Sequence, residues 1–519
     1  PRVVQASCVQ DVFSVVSIDE SGIFELPNRR FSKLYALSDI NFAGVTDAEQ
    51  KSIIISFSKV LKAIPCRFSY TVANTRVDEK AFHEKILYPM KQDKYDGLRK
   101  NFNKVIKDKV KDARQGLYQT IYLTLTIKAE DMKDAKTTFA SMESAIRSAF
   151  VGIGANGMQG SVMRSVGINE RMQLLYELMH TGIDSNFKFD FEEEIENRHD
   201  WLNTICPASL CFESEGFLLN GQIGKVFFVE EYPKSLESDI IAAFSKINCT
   251  SFVTVANELL DISAFKQEIA RKYMSVGMKI ESEKQRNRNN NDYLADASAK
   301  LLNEKEKLDA FSKALDTDDD HYFNTTMLVY VQARDRQEMA QIEEKLMNAA
   351  ALKSVKLKSC FGKQKEALNS VLPLGVQELK RVVNLSSSCL AMLMPFKTQE
   401  LNDEGGIYYG NNQLSQNVIK ADKKKLKNHN CLLLGQSGSG KSMFGKCEMI
   451  STFLNCGEDQ IIVVAPQSEY GDIAEVLDGT VIYFDSGKEF YLNPMDVDFE
   501  GVDYVKLQEI VSEKADLIL

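Results

Sequence analysis

The chain has 519 residues, 44% of them hydrophobic and 26% charged, with a formal net charge of −10 at pH 7. That length points to two to four domains. The acidic balance argues against a broad nucleic-acid-coating surface, although it leaves room for a local basic channel in an oligomer. No run approaches 18 consecutive apolar residues, so this chain does not span a membrane by itself. Its ten cysteines are scattered, and the lone C-x4-C of Cys206 and Cys211 has neither a second pair nor a His cluster, the wrong pattern for zinc. Several other cysteines lie inside apolar runs, and a reducing cytoplasmic compartment fits them. The start at Pro1 has no Met and no secretory pattern, and residues 516–519 sit in an amphipathic helix pattern. Both ends are expected to be cuts within a longer protein.

In chain order, the first 400 residues carry a repeat. Residues 66–86 align without gaps on 249–269, identical at nine of 21 positions and including an unbroken Thr-Val-Ala-Asn at 71–74 and 254–257. Each copy reads as a strand running into a helix. A helical pattern precedes each, near 47–63 and 236–246. A β-rich run follows each, Tyr122 to Ile127 and Met327 to Val331, and then an amphipathic helix near 132–149 and 336–350. This order predicts two duplicated α+β units of split βαβ type.

The second copy has an insert. Residues 262–286 and 293–316 are polar and helically periodic, broken by 287–292, which predicts a helical hairpin with a solvated tip. It is either a partner-touching arm or a merely exposed hairpin. Between the copies, Asp190 to Glu196 is acidic and reads as a solvated face or loop. The five His (83, 180, 199, 321 and 429) lack ligand spacing, and this half is expected to do no chemistry.

From about residue 400 the pattern changes to Gly-rich turns and apolar runs of parallel-strand type. Lys420 to Lys427 is a charged stretch that could screen a triphosphate or serve as a connector. The apolar run 431–434 then meets Gly435-Gln436-Ser437-Gly438-Ser439-Gly440-Lys441-Ser442, a GxxxxGK[ST] phosphate loop opening a helix over 441–455. Glycines there permit backbone turns that aim successive N–H groups inward at a phosphate. The helix start adds unpaired N–H groups and a positive dipole end. Lys441 is expected against the β- and γ-phosphates of ATP, and the Ser442 hydroxyl on Mg²⁺. A second apolar run, 460–465, reads as a buried strand ending at Pro466 to Tyr470. Glu469 would lie at the carboxyl end of that strand, either activating water or capping the next helix. A third run, Val481 to Phe484, ends in Asp485.

These residues resemble the VirB-type conjugative-transfer ATPases of type IV secretion systems. The similarity rests on Gly406 to Asn411, Gly435 to Ser442, Ala465-Pro466 with Glu469-Tyr470, and Leu492-Asn493-Pro494-Met495-Asp496. It extends to Leu372-Pro373-Leu374-Gly375, Met394-Pro395-Phe396 and the stretch from Ser21 to Phe42, so it covers nearly the whole chain. The resemblance implies an α/β P-loop (RecA-like) ATPase domain, incomplete at its C-terminus, over 396–519. The α+β region ahead of it divides into 1–225 and 226–395. It further implies a hexameric homo-oligomer with an arginine finger supplied by the neighbour, docked peripherally on inner-membrane channel subunits. Transferred DNA or protein would be an indirect partner. Two departures stand out. Ala465 replaces the family's usual aspartate, and no run of four apolar residues followed by Asp-Glu occurs, since Asp485 precedes Ser486. Other readings are a DNA translocase of FtsK/HerA type, or a nucleotide-binding scaffold without hydrolysis.

Overall fold

The computed structural model describes residues 12–76, 86–110, 117–153, 160–180, 187–197, 200–233, 235–289, 297–317, 320–379, 381–398, 401, 403, 405–412, 417–426, 428–455, 459–466, 469–483 and 504–518. Two compact units divide at Asp422/Lys423. The two repeats, divided near 225 in the sequence, share one sheet of the first unit. The paired strands Ile407–Asn411 and Val418–Ala421 also belong to the first unit, where the Asn411 amide donates to the Lys109 carbonyl at 3.0 Å.

The first unit is built on a 13-stranded antiparallel sheet. Its main path uses β1 (Ser17–Ile18), β2 (Ile23–Leu26), β3 (Arg30–Leu37), β4 (Arg67–Arg76) and β5 (Leu117–Lys128) from the first repeat, with β6 (Met163–Ser165) pairing on β3 off that path. The second repeat supplies β7 (Leu210–Phe212), β8 (Phe217–Leu219), β9 (Gln222–Glu231), β10 (Ser251–Leu259) and β11 (Tyr322–Ala333). The order β1-β2-β3-β5-β4-β10-β11-β9-β8-β7 reads as the same arrangement twice, back to back. In each half the middle strand pairs antiparallel with both flanking strands, β5 with β3 and β4, and β11 with β9 and β10. The flanking strands therefore run parallel to each other across it, which is a split βαβ arrangement.

The duplicated sequence explains the join. The identical positions Thr71 and Thr254 are direct partners across β4 and β10. Phe68 faces Asn257, and Asn74 faces Ser251. Each copy thus meets its own equivalent, as a local twofold axis requires. The Thr254 hydroxyl donates to the Val371 carbonyl at 2.6 Å, so the Thr71 hydroxyl is the donor in the 2.9 Å Thr–Thr contact. Asn74 donates to the Ser245 carbonyl and Ser251 hydroxyl, while Asn257 accepts from Thr325. All of these side chains are buried.

Alternation along the strands explains why both sheet faces are covered. Ile121, Leu123, Leu125 and Ile127 of β5, with Phe323, Met327, Val329 and Val331 of β11, enter one core. Helices Asp47–Ala63, Met132–Val151, Ile240–Ser245 and Arg336–Leu352 close that face through Phe57, Phe139, Phe244 and Leu346. Tyr122, Leu328 and Tyr330 enter the opposite core beneath helices Ile168–Met179 and Gln364–Val371. The two long outer helices are capped alike: Asp131 accepts from the Asp134 N–H and Asp335 from the Glu338 N–H, both at 2.8 Å.

One cation lies at the heart of the second core. Arg171 is 1% exposed and stacks 3.6 Å from the Phe24 ring centroid. Its guanidinium donates to the carbonyls of Gly22, Ser32 and Pro373 and to the Ser32 hydroxyl, at 2.8 to 3.2 Å. Every one of these acceptors is neutral. Burial pushes its pKa down to about 9, so it stays cationic at neutral pH. Here Leu372–Gly375 of the second repeat reaches the first. Gly375 has φ +85° and sits so close that a Cβ would lie 2.4 Å from that of Ser32.

The insert forms helices Ile262–Asn289 and Ala299–Thr317, joined through Val276, Ile280 and Ala297. Residues 287–289, expected to break the pattern, continue the first helix, and 290–292 lie outside the described residues. In the second unit the helix expected over 441–455 spans Lys441–Asn455, followed by Gly471–Val476 and Tyr504–Ile518. The apolar runs expected as buried parallel strands differ. Among the described residues, 431–434, 460–465 and 481–483 have no strand partner. Without a paired neighbour to bring a second layer over them, their alternate side chains stay in solvent, with Leu432 at 80% and Val464 at 90% exposure.

Thr254→Val is expected to destabilise the first unit by about 1–3 kcal/mol, because it strands two buried partners; Thr71→Val is expected to cost less, since Thr254 keeps its bond to Val371. Trp201, the sole tryptophan, lies 6.4 Å from Phe24 and reports both in a denaturant titration. The same probe should show Arg171→Lys losing about 2–4 kcal/mol, because an ammonium cannot reproduce the planar fork.

Candidate functional site

The eight-residue loop of the second unit is positioned by its own backbone. Gly438 and Gly440 adopt φ +80° and +90°, the left-handed region that a Cβ disfavours. The Ser439 N–H donates to the Gln436 carbonyl at 3.1 Å and closes the turn. The Phe444 N–H donates to the Gly440 carbonyl at 2.9 Å, the first helical bond. The N–H groups of Lys441, Ser442 and Met443 therefore precede the helical ladder and carry the positive end of its dipole.

The Lys441 ammonium folds back over the loop, donating to the carbonyls of Gly435 at 2.6 Å and Gln436 at 2.9 Å. The wrap is tight: a Cβ on Gly435 would lie 2.5 Å from the Ser439 hydroxyl and 3.2 Å from Lys441 Cγ. Gly435 to Gly440 and Ser442 are all exposed. The loop and helix start together carry free helix-start N–H groups, one cation and one hydroxyl, the groups that a phosphate cradle uses. Among the described residues no group of three His, Cys, Asp or Glu side chains is gathered for a metal. A single hydroxyl beside phosphate oxygens suits Mg²⁺, which keeps several waters and seldom needs an all-protein cage.

Glu469 is exposed in the turn before helix Gly471–Val476. The capping role does not apply, because Tyr470 holds the N-cap position and no side chain caps that helix. Tyr470 anchors the turn on helix Lys441–Asn455. The Lys446 ammonium lies 5.6 Å from its ring centroid, and Gly445 leaves room for its hydroxyl, which a Cβ there would meet at 3.3 Å. The residue beside Glu469 is thereby fixed on the second turn of the helix that Lys441 opens. Asp485 and Leu492 to Asp496 lie outside the described residues, as do Gln467 and Ser468.

Sequence reasoning left the connector lysines undecided. Lys423 pairs with Glu448 of helix Lys441–Asn455, and Lys424 with Asp459 just beyond it at 2.7 Å. Burial works against the Lys423 charge, but Glu448 and the Cys431 thiol together hold its pKa above the usual range. Glu448 and Asp459 were not legible as partners, because their lysines lie 25 and 35 residues upstream, beyond any local spacing rule. Exposed His429 contacts the Lys423 carbonyl at 2.8 Å. In the first unit, half-buried Cys206 and exposed Cys211 belong to no group of three metal-ligating side chains among the described residues.

No protein-family model and no curated protein matches this chain.

Gly440→Ala meets no atom within 4 Å, so its effect isolates the backbone requirement. Holding a Cβ at this φ costs about 1–3 kcal/mol, so affinity for a fluorescent magnesium-adenine nucleotide is expected to fall several-fold or more. Unchanged affinity would show that the loop does not hold phosphate.

Proposed function

We propose that this chain is an ATP-binding and hydrolysing motor subunit of a type IV secretion or conjugation system, energising channel assembly or substrate transfer. The observation that supports it most is the loop 435–442 with its two left-handed glycines, opening a helix and carrying Lys441 across its mouth. The order of flanking motifs, from Gly406 through Glu469-Tyr470 to Asn493-Pro494, adds the family resemblance. An α/β P-loop (RecA-like) domain is part of the same reading.

In this reading the loop amides hold the phosphates by charge-assisted hydrogen bonds. Lys441 leaves the carbonyls of Gly435 and Gln436 and neutralises charge at the β- and γ-phosphates, while Ser442 ligates Mg²⁺. Bound Mg²⁺ supplies further charge neutralisation and a fixed phosphate geometry. Glu469, held next to anchored Tyr470, orients or deprotonates the attacking water. The subunit works as a hexamer, peripheral on the cytoplasmic face of the membrane beside inner-membrane channel subunits. No helix among the described residues is long and apolar enough to cross a membrane.

Lys441→Ala is expected to reduce ATP turnover at least 100-fold, the loss typical of removing a main transition-state charge partner, while Trp201 fluorescence and unfolding of the first unit stay unchanged. Persistent turnover would place the chemistry elsewhere. DNA-stimulated turnover with a steep salt dependence would favour the DNA translocase instead.

A further inference from the structure

Helix Ile262–Asn289 stands out in an acidic chain, with seven basic residues against three acidic ones. Its buried stripe of Phe265, Ile269, Val276 and Ile280 faces the protein. Its exposed side presents Arg271, Met274 and Met278 opposite that stripe, flanked by Lys279 and Arg286. Met274 and Met278 are 60% and 71% exposed, one helical turn apart, and make an adaptable apolar strip between cations. Arg271, Lys279 and Arg286 have no ion pair among the described residues; Lys272 is paired with Glu268 along the helix.

The complement is on the same chain. Helix Phe191–Glu196, begun by Asp190, carries Glu192, Glu193, Glu194 and Glu196 around Ile195, which is 60% exposed. Asp190, Glu192, Glu193 and Glu196 are exposed and have no ion pair among the described residues. Both faces belong to the first unit and both are solvent-exposed, so they do not cover each other within one copy.

We propose that the cationic methionine face of helix 262–289 docks on the acidic, Ile195-centred helix 191–196 of a second copy of this chain. Opposite charges steer the encounter and fix its register, and the methionines and Ile195 exclude water at its centre. Because the two patches differ, the contact is head-to-tail and propagates around a ring or along a filament. It does not rest on nucleotide turnover, so its test reads mass rather than activity.

Sedimentation velocity on the full chain is expected to show self-association at about 0.05 M salt that weakens at about 0.5 M, where the screening length shortens severalfold. The triple variant R271E/K279E/R286E should weaken association at least tenfold, as should E192K/E193K/E196K, each with wild-type Trp201 fluorescence. Mixing the two variants restores association in alternating order, because each intact patch meets the intact patch of the other variant and the two swapped patches also match. Combining all six reversals in one chain likewise restores association, because the swapped charges again match. The proposal is overturned if wild type stays a protomer at low salt, or if neither reversal changes the mass. It is also overturned if the six-fold reversal fails to recover, or if the basic reversal only abolishes binding to phosphatidylserine vesicles.

Discussion

The first unit depends on a hydroxyl meeting its own counterpart. Thr71 and Thr254 are equivalent residues of a duplicated sequence, and their contact marks where two copies of one fold share a sheet. An antiparallel join about a twofold axis lets each copy cover the strand edge that the other would leave open. From that join the strand order extends outward identically on both sides. The unbroken Thr-Val-Ala-Asn of each copy lies in this seam, where Val72 and Val255 enter one core while Thr71, Asn74, Thr254 and Asn257 satisfy each other or nearby backbone. A buried polar seam of this kind fixes register, because a slip of one residue would strand every partner.

The two halves solve one packing problem with different chemistry. In the first, Arg171 on helix Ile168–Met179 ties the Gly22 carbonyl to the Ser32 carbonyl of β3. In the second, Gln364 at the start of helix Gln364–Val371 ties the Glu215 carbonyl to the Val226 carbonyl of β9. Both bonds clamp a hairpin to a strand from the helix above. The amide suffices locally. The longer, forked guanidinium also reaches Pro373, and so it fastens the end of the second repeat onto the first. Gly375 completes that crossing by closing to the Ser32 side chain, with the Thr126 hydroxyl donating to its carbonyl.

Much of this was legible in the residues, and the reasons are local. Apolar spacing reads helices near 47–63, 132–149 and 336–350, and they are observed at Asp47–Ala63, Met132–Val151 and Arg336–Leu352. The helix opened by Lys441 follows from a glycine loop whose turn needs no distant help. What could not be read depends on contacts remote in sequence: the pairing of Lys423 with Glu448, the seat of Tyr470 on Gly445, and the merging of two repeats into one unit. Identity between 71–74 and 254–257 signals kinship, but only the register shows that kin residues touch. The apolar runs 431–434 and 460–465 have strand composition, yet composition provides no neighbour for their hydrogen bonds.

Fusing two copies also releases them from equality. Two separate identical chains paired about the same axis would each bear any extension that either bore. Here the strand after Thr254 leads into the long hairpin of helices 262–289 and 299–317, whereas its counterpart is followed by the single described helix Asp96–Val110 before β5. Among the described residues one copy carries this pair of helices and the other does not, and that difference gives the first unit a direction. An assembly of such subunits can tell front from back without any second kind of protein.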